Sequence, residues 1–138
     1  MTDPYSSSAG TTGRGPESWF RGEVYVDSLV PGDNTPGSVA MLKVRFTPGA
    51  RTHWHSHPAG QVLHVVDGVG RVQDRGGPVR EIRTGDSVDA RAGVWHWHGA
   101  GPDTFMSHIA VQIGDGAGVY TVWGDPVTDE EYNSPSAM

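Results

Sequence analysis

Short apolar runs separated by turn-forming breaks recur along most of this chain of 138 residues. No stretch shows a convincing 3.6-residue helical period, and each run has the length of a β-strand. The runs are residues 23–26, 39–46, 61–66, 70–73, 79–82, 87–89, 95–98, 104–113 and 119–123, and the breaks are residues 31–34, 48–49, 67–68, 76–78, 85–86 and 114–116. The breaks are rich in glycine, proline and aspartate, which favour turns. The pattern predicts an all-β chain that folds as an antiparallel sandwich or barrel.

Length and composition favour a single domain and exclude several classes of function. A chain of 138 residues is long enough for one hydrophobic core. The formal net charge is -6 and the basic residues are scattered singly, so we expect no nucleic-acid partner and no membrane partner. Cysteine is absent, which excludes disulfides and thiolate metal sites. Since no secretory signal or membrane span is visible, we expect a cytoplasmic protein.

The composition divides the chain into three segments. Residues 1–18 are rich in serine, glycine, threonine and proline, and we expect poor order there unless the barrel or a partner subunit holds them. Residues 19–124 contain the predicted strands and form the barrel. Residues 125–138 are an acidic and polar C-terminal tail, in which we expect residues 129–132 to form a short helical turn at most and the acidic residues 129–131 to be solvated.

Five of the seven histidines stand at alternate positions in two clusters, His53, His55 and His57 in the first and His96 and His98 in the second. Alternate residues of a strand share a face, so the histidines of each cluster point to the same side. Imidazole is the commonest protein ligand for transition metals. Two such strands can meet around a single ion, and the sequence therefore predicts a metal centre. Buried, hydrogen-bonded histidines without an ion are the alternative.

Glycines, histidines and one glutamine follow a regular spacing around the first cluster. Five residues separate Gly49 from the pair His55-x-His57, three more precede Gln61, and six more precede Gly68. This spacing resembles the first sequence motif of the cupin superfamily, which normally has glutamate at the position of Gln61. A glutamine in this place either binds the metal through its amide oxygen or hydrogen-bonds to water on the metal.

A second motif surrounds the second histidine cluster. Five residues separate Gly85 from Arg91-x-Gly93, and His96 follows after two more. This resembles the second cupin motif, with Arg91 in place of its usual proline. The likeness extends across residues 20–124, and it implies a single-domain double-stranded β-helix, which is the jelly-roll or cupin barrel.

Within this superfamily the chain resembles the small bacterial cupins with manganese-dependent hydroxynitrile lyase activity. The segments that carry this likeness are residues 15–20, 48–52, 54–61, 96–100 and 106–112. The resemblance implies one divalent transition-metal ion per chain, with manganese as the first candidate and iron, cobalt, nickel or zinc as alternatives. The implied metal ligands are His55, His57, Gln61 and His96, and the implied catalytic residues are His108 and Gln112.

Further inward-facing residues are candidates for contact with a substrate. His108 shares a strand face with Met106 and Ala110, and a polar side chain on such a face loses hydration unless it is used or satisfied by a partner. His98 faces inward by alternation, where it contacts substrate or packs. His53 stands where the resembled group has an apolar or small residue, and we place it at the cavity rim or beside the ligands. The predicted substrate contacts are His53, His98, Met106 and Ala110.

The resemblance implies a metal-dependent enzyme for a small organic oxygen compound, with cleavage of a cyanohydrin to aldehyde and cyanide as the preferred reaction. The metal would act as a Lewis acid on the substrate hydroxyl, and His108 would take its proton with the help of Gln112. Two alternatives stay open, an iron-dependent oxygenase and a non-catalytic small-ligand-binding cupin. We expect a small-molecule substrate as partner, and a homodimer or higher homo-oligomer formed through a sheet edge.

Overall fold

The computed structural model describes residues 12–134. These residues contain β-strands and one helical turn. The strands are β1 (Thr12–Arg14), β2 (Phe20–Arg21), β3 (Val24–Val30), β4 (Val39–Phe46), β5 (Arg51–Thr52), β6 (His55–Ser56), β7 (Gln61–Asp74), β8 (Arg80–Arg83), β9 (Ser87–Ala90), β10 (His96–Ala100), β11 (Met106–Ile113) and β12 (Val122–Trp123), and the helix is α1 (Asp129–Tyr132). The prediction of an all-β chain is confirmed.

Two curled antiparallel sheets share the long strand β7 and form the predicted jelly-roll barrel. The first sheet has the order β1-β3-β4-β11-β7, and β9 pairs with the other side of β7. In the second sheet, β7 pairs with β8 and β10, and β10 continues to β5 and β2. The short strand β6 also pairs with β10 and with β12. This arrangement places the second histidine cluster in β10 and His55 of the first cluster beside it, in β6.

Strand β7 passes from the first sheet to the second at Gly68, where the sequence pattern predicts a turn. Residues 61–68 pair with β11, and residues 69–74 pair with β8 and β10. Gly68 has a φ of 78°, and a Cβ atom there would collide with the carbonyl oxygen of Phe105. Glycine therefore permits a bend in a strand that stays hydrogen-bonded, and the predicted break at this position is wrong.

A buried apolar cluster between the sheets supports the strands that carry the histidines. Along β4, Val44 and Phe46 are buried and the intervening Arg45 is exposed, as the two-residue period of a strand requires. The members of the cluster are Phe20, Val24, Val44, Phe46, Ala50, Val65, Val72, Ile82, Ala100 and Met106. Both sheets contribute to it, so its burial holds them together.

The tryptophans that alternate with the histidines pack on the opposite face of the second sheet. Trp54 and Trp97 are buried there, and Trp95 packs against them. Val127 and Tyr132, from the C-terminal segment, complete this second cluster and are fully or almost fully buried. The same alternation that turns imidazoles inward therefore leaves indoles outward, where the C-terminal segment covers them.

Polar contacts also attach the C-terminal segment to the barrel. The guanidinium of Arg51 is buried and donates to the carbonyl oxygen of Val127 and to Oδ1 of Asp129, each at 2.8 Å. The hydroxyl of Tyr132 donates to the carbonyl oxygen of Ala100 at 2.6 Å. The expected short helical turn is present at residues 129–132 and the carboxylate of Asp129 is exposed, but two side chains of the segment, Val127 and Tyr132, are buried against the barrel.

Most of the N-terminal segment that the composition set apart lies outside the described residues, as do residues 135–138. Residues 12–14 pair with β3, and the N–H of Gly15 donates to the carbonyl of Val24 at 2.8 Å. The barrel therefore holds this part of the segment. Within residues 12–134, no helix has the length and apolar character needed to cross a membrane.

Candidate metal centre

Neighbouring elements of the second sheet and the start of β7 bring the predicted metal ligands together. His55 lies in β6, His57 follows that strand, Gln61 begins β7 and His96 begins β10. Because β6 pairs with β10, His96 lies directly opposite His55. The ring centroids are 4.3 Å apart for His55 and His96, 4.9 Å for His55 and His57, and 5.3 Å for His57 and His96. Three imidazoles from two hydrogen-bonded strands and one loop thus form one buried cluster.

Each of these three rings contacts a backbone carbonyl through Nδ1. A carbonyl oxygen only accepts, so Nδ1 carries the proton and Nε2 of the neutral ring keeps its lone pair. The contacts are His55 Nδ1 to the carbonyl of His53 at 2.8 Å, His57 Nδ1 to that of Tyr120 at 2.8 Å, and His96 Nδ1 to that of Val94 at 3.1 Å. Such contacts fix the tautomer and ring orientation that metal-binding histidines need.

Several donor atoms in this cluster are buried without a protein partner. Nε2 of His57, Nε2 of His96 and Oε1 of Gln61 have no hydrogen bond within the described residues. Gln61 is oriented by Gln112, because its Nε2 donates to Oε1 of Gln112 at 3.1 Å and leaves its own oxygen free. Buried polar atoms without partners are unfavourable unless something else satisfies them. Three imidazole nitrogens and an amide oxygen are a donor set that suits a divalent transition metal.

His98 and His108 form a histidine pair next to the predicted ligands. Nε2 of His108 lies 2.9 Å from Nδ1 of His98, and the two rings are 4.8 Å apart. One ring nitrogen from each of His55, His96 and His98 lies within 4.8 Å of the other two. His98 is therefore an alternative to His57 as the third nitrogen ligand. Unlike the other rings, His98 contacts an imidazole, which can donate or accept. Its tautomer is therefore not fixed by the backbone, and we favour His57 as the third nitrogen ligand.

Burial keeps the histidines of the cluster neutral. Loss of hydration lowers the pKa of His57 and that of His108 to about 4. It also lowers the pKa of His96. The pKa values of His55 and His98 lie well below the ordinary range, first because of burial and then because neighbouring imidazoles disfavour a second charge. Neutral rings are the form that binds metal ions. The described residues that line the adjoining cavity include no carboxylate.

A cavity of about 580 Å³ adjoins the histidines and connects the predicted ligands with the predicted catalytic residues. His108, Ala110 and Gln112 line it from β11, and His98 lines it from β10. Much of the remaining wall is apolar or aromatic, formed by Trp19, Phe20, Val26, Leu42, Val44 and Trp123. The cavity is large enough for a small organic molecule with an apolar group.

Two predicted substrate contacts do not line this cavity. Met106 is fully buried in the apolar cluster between the sheets. His53 is buried outside the cavity lining, and its backbone N–H donates to the carbonyl of Trp19 at 2.7 Å. The chain between β5 and β6 is not a strand, so the alternation that predicts a shared face for His53 and His55 does not hold there. His53 nevertheless lies beside a predicted ligand, since its carbonyl accepts from Nδ1 of His55, and contact of His53 or Met106 with a substrate stays a prediction.

Sequence reasoning missed several residues around the site. Trp123 lies with its ring centroid 4.8 Å from that of His55 and stacks on Trp19 at 5.1 Å with an interplanar angle of 6°. Thr52 lines the cavity, and its hydroxyl accepts from the N–H of His98 at 3.2 Å. Trp123 lies outside the segments that carry the resemblance, and Thr52, which lies inside one of them, has no role assigned by the sequence. The carbonyl of Tyr120 is a backbone group, which no side-chain pattern reveals.

Comparison with known proteins agrees with this arrangement. The family model described as "Cupin domain" matches residues 42–111. A relative from Granulicella tundricola, an (R)-mandelonitrile lyase, is 48% identical over 122 residues, which are 88% of this chain and 91% of that protein. A solved structure of a cupin-like protein from Thermotoga maritima has a TM-score of 0.82 and 39% identity, with 98% of each chain covered.

A more distant solved structure supports the fold alone. It is a cupin 2 conserved barrel domain protein from Rhodopseudomonas palustris, with a TM-score of 0.65, 13% identity, and 88% of this chain and 79% of that chain covered. The family model spans both strands that carry the histidines, and the two closer relatives extend the match over nearly the whole chain. With its jelly-roll barrel and inward histidines, the chain belongs to the cupin family.

Proposed function

We propose that this cupin is a metal-dependent lyase that cleaves a cyanohydrin into an aldehyde and hydrogen cyanide. The observation that carries the proposal is the set of buried donor atoms without partners, beside a neutral histidine pair and an apolar cavity. The relative named (R)-mandelonitrile lyase supports the same reaction class. Neither a purely structural role nor simple ligand binding requires a buried base next to a metal-ligand set.

His55, His57, Gln61 and His96 would hold the metal, and manganese is the first candidate. This set of nitrogen and oxygen donors without sulfur also suits iron, cobalt, nickel and zinc. A divalent cation bound there supplies Lewis-acid chemistry, which lowers the pKa of a substrate hydroxyl and stabilises negative charge on oxygen. The protein contributes buried ligands beside a largely apolar cavity, where such an effect is stronger than in water.

His108 is the proposed base for the hydroxyl proton. Its ring is fully buried, burial lowers its pKa to about 4, and its Nδ1 has no partner within the described part of the chain. When Nδ1 accepts the proton, Nε2–H donates to Nδ1 of His98, which keeps the ring in place. The carbon–carbon bond then breaks, its electron pair leaves with cyanide, and the hydroxyl carbon becomes a carbonyl. The proton returns from His108 to cyanide, so that neutral hydrogen cyanide departs.

Gln112 and the apolar wall position the substrate in this proposal. Oε1 of Gln112 accepts from Gln61, so the amide NH2 of Gln112, a residue that lines the cavity, is left to donate to a substrate. A donor there can hold the nitrile or hydroxyl of the substrate. The side chains of Leu42, Val44 and Ala110 form an apolar surface for the remaining group of the cyanohydrin. Orientation of the scissile bond between base and metal is a large part of the rate gain of such sites.

The experiment measures aldehyde and cyanide release from racemic mandelonitrile, with protein stripped of metal and protein reloaded with manganese. We expect activity to disappear on stripping and to return on reloading. His108→Ala should keep its metal but lose about 10²-fold or more in rate, the size of a general base's contribution. His64→Ala is the matched control, because His64 is exposed and contacts Ser87 on the outer surface.

Three results would contradict the proposal in different ways. Full activity without metal would remove the metal from the mechanism, and an unchanged rate in His108→Ala would remove the proposed base. Turnover that requires oxygen and iron, and that stops with zinc in an oxygen-free buffer, would indicate the iron-dependent oxygenase instead.

A further inference from the structure

The orientation of His57 depends on a distant loop, unlike that of the other two histidine ligands. His55 and His96 each use the carbonyl two residues earlier in the chain, so their own strands set their tautomers. His57 uses the carbonyl of Tyr120 at 2.8 Å, and the hydroxyl of Thr121 also lies 3.3 Å from its Nδ1. Both oxygens belong to residues 114–121, which we call the clamp loop. The position of this loop therefore decides which nitrogen of His57 is free.

A directed chain of hydrogen bonds ties the clamp loop to residues 31–38. The hydroxyl of Ser38 donates to the carbonyl of Thr35 at 2.7 Å, which uses its only proton. The 2.5 Å contact between the hydroxyls of Ser38 and Tyr120 must therefore have Tyr120 as donor. The Tyr120 oxygen in turn accepts from the N–H of Asn34 at 3.3 Å. Each hydroxyl donates once and accepts once, so the network has a single consistent direction.

Close backbone approach couples the same two loops. A Cβ atom at Gly118 would collide with the carbonyl oxygen of Asn34, and one at Gly32 would collide with the hydroxyl of Tyr120. Two backbone hydrogen bonds, from Gly37 N–H to Gly114 O at 2.9 Å and from Gly114 N–H to Ser38 O at 2.8 Å, join the loops at their base. The clamp loop and residues 31–38 are therefore closely packed. Backbone hydrogen bonds hold one end of this contact, and the hydroxyl contacts of Tyr120 hold the other.

We propose that Tyr120 and Ser38 are positioning residues for the metal centre. Their hydroxyl contact holds the clamp loop where the Tyr120 carbonyl keeps the proton of His57 on Nδ1 and leaves Nε2 for the ion. The inference rests on the proposed metal-dependent function, since it assigns these residues to the same site. The clamp loop also forms one wall of the cavity, and Asn34 lines that cavity too, so the contact joins metal binding to substrate enclosure.

The test uses Tyr120→Phe, Ser38→Ala and the double variant, with Tyr25→Phe as a matched control. Tyr25 is an exposed tyrosine on β3, away from the cavity. The first readout is the dissociation constant for Mn²⁺, measured by electron paramagnetic resonance. Each single variant should bind about 10- to 100-fold more weakly, the usual effect of losing a group that orients a ligand. The double variant should lose little beyond either single variant, because both remove the same contact.

The second readout is the tautomer of His57 in metal-free protein, read from nitrogen-15 chemical shifts of its ring. The wild type and Tyr25→Phe should show a proton on Nδ1, and the two positioning variants should show a mixture with Nε2–H. This readout needs no metal. A wild type that fails to bind Mn²⁺ would contradict the proposed function, while the tautomer of His57 would still test the positioning role of Tyr120 and Ser38. If Tyr120→Phe does not fold, Ser38→Ala decides alone. Variants that only melt earlier, with wild-type affinity and tautomer, would overturn the positioning role.

Discussion

Acid should destabilise the metal-free protein, and His108 contributes a part of this effect that can be isolated. Burial lowers the pKa of His108 from 6.5 to about 4 in the folded state. In the unfolded chain the ring regains its ordinary pKa, so between these values the unfolded state binds a proton that the folded state does not. The contribution of the neutral ring is therefore fully present above pH 6.5, and it is lost as the pH falls toward 4.

The size of this loss follows from the two pKa values. With 6.5 in the unfolded chain and about 4 in the folded protein, linkage gives a loss of about 2 kcal/mol between pH 7 and pH 5. The assay is urea unfolding of chelator-treated protein at several pH values, for wild type and for His108→Gln, which cannot titrate. The wild type should lose about 2 kcal/mol more than the variant over this range. Equal losses in both proteins would refute the assignment of a depressed pKa to His108.

Three other predictions concern the supporting structure. Tyr132→Phe should lower the free energy of unfolding by about 1–3 kcal/mol, because it leaves the buried carbonyl of Ala100 without its donor; an unchanged urea midpoint would contradict this. Gln112→Met should weaken Mn²⁺ binding about 10- to 100-fold, because Gln61 loses the acceptor that orients its amide; calorimetry showing wild-type affinity would contradict it. The predicted homo-oligomer should appear in light scattering, and Val62→Glu, at a side chain 49% exposed on the first sheet, should weaken it; a monomeric wild type would end that prediction.

The barrel could be predicted from the sequence because its longer strands carry clear signals. Residues 39–46 are predicted as a strand and form β4 with those bounds. The two-residue strands β5 and β6 could not be found, since two residues show no period. Asp67 and Gly68 have turn chemistry, yet neighbouring strands on both sides keep β7 continuous through them. Local preference decides such positions only where tertiary pairing does not override it.

Motif spacing was a better guide to which residues lie together than alternation extended beyond a strand. The spacing brought His55, His57 and His96 into one cluster. Alternation failed for His53, because the residues between β5 and β6 leave the strand conformation. It also could not tell that Met106, on the inward face of β11, lies in the core and away from the cavity. Alternation indicates which face of a strand a side chain lies on, but the position of that side chain along the barrel depends on the whole fold.

We propose that His55, His57, Gln61 and His96 bind one metal ion per chain. X-ray absorption at the manganese edge of the loaded protein tests it most directly, with His98→Gln measured beside the wild type. We expect one bound ion with three imidazole ligands in both proteins, because His98 belongs to the pair with His108. An ion that loses an imidazole in His98→Gln, or a wild type that retains no metal, would contradict it.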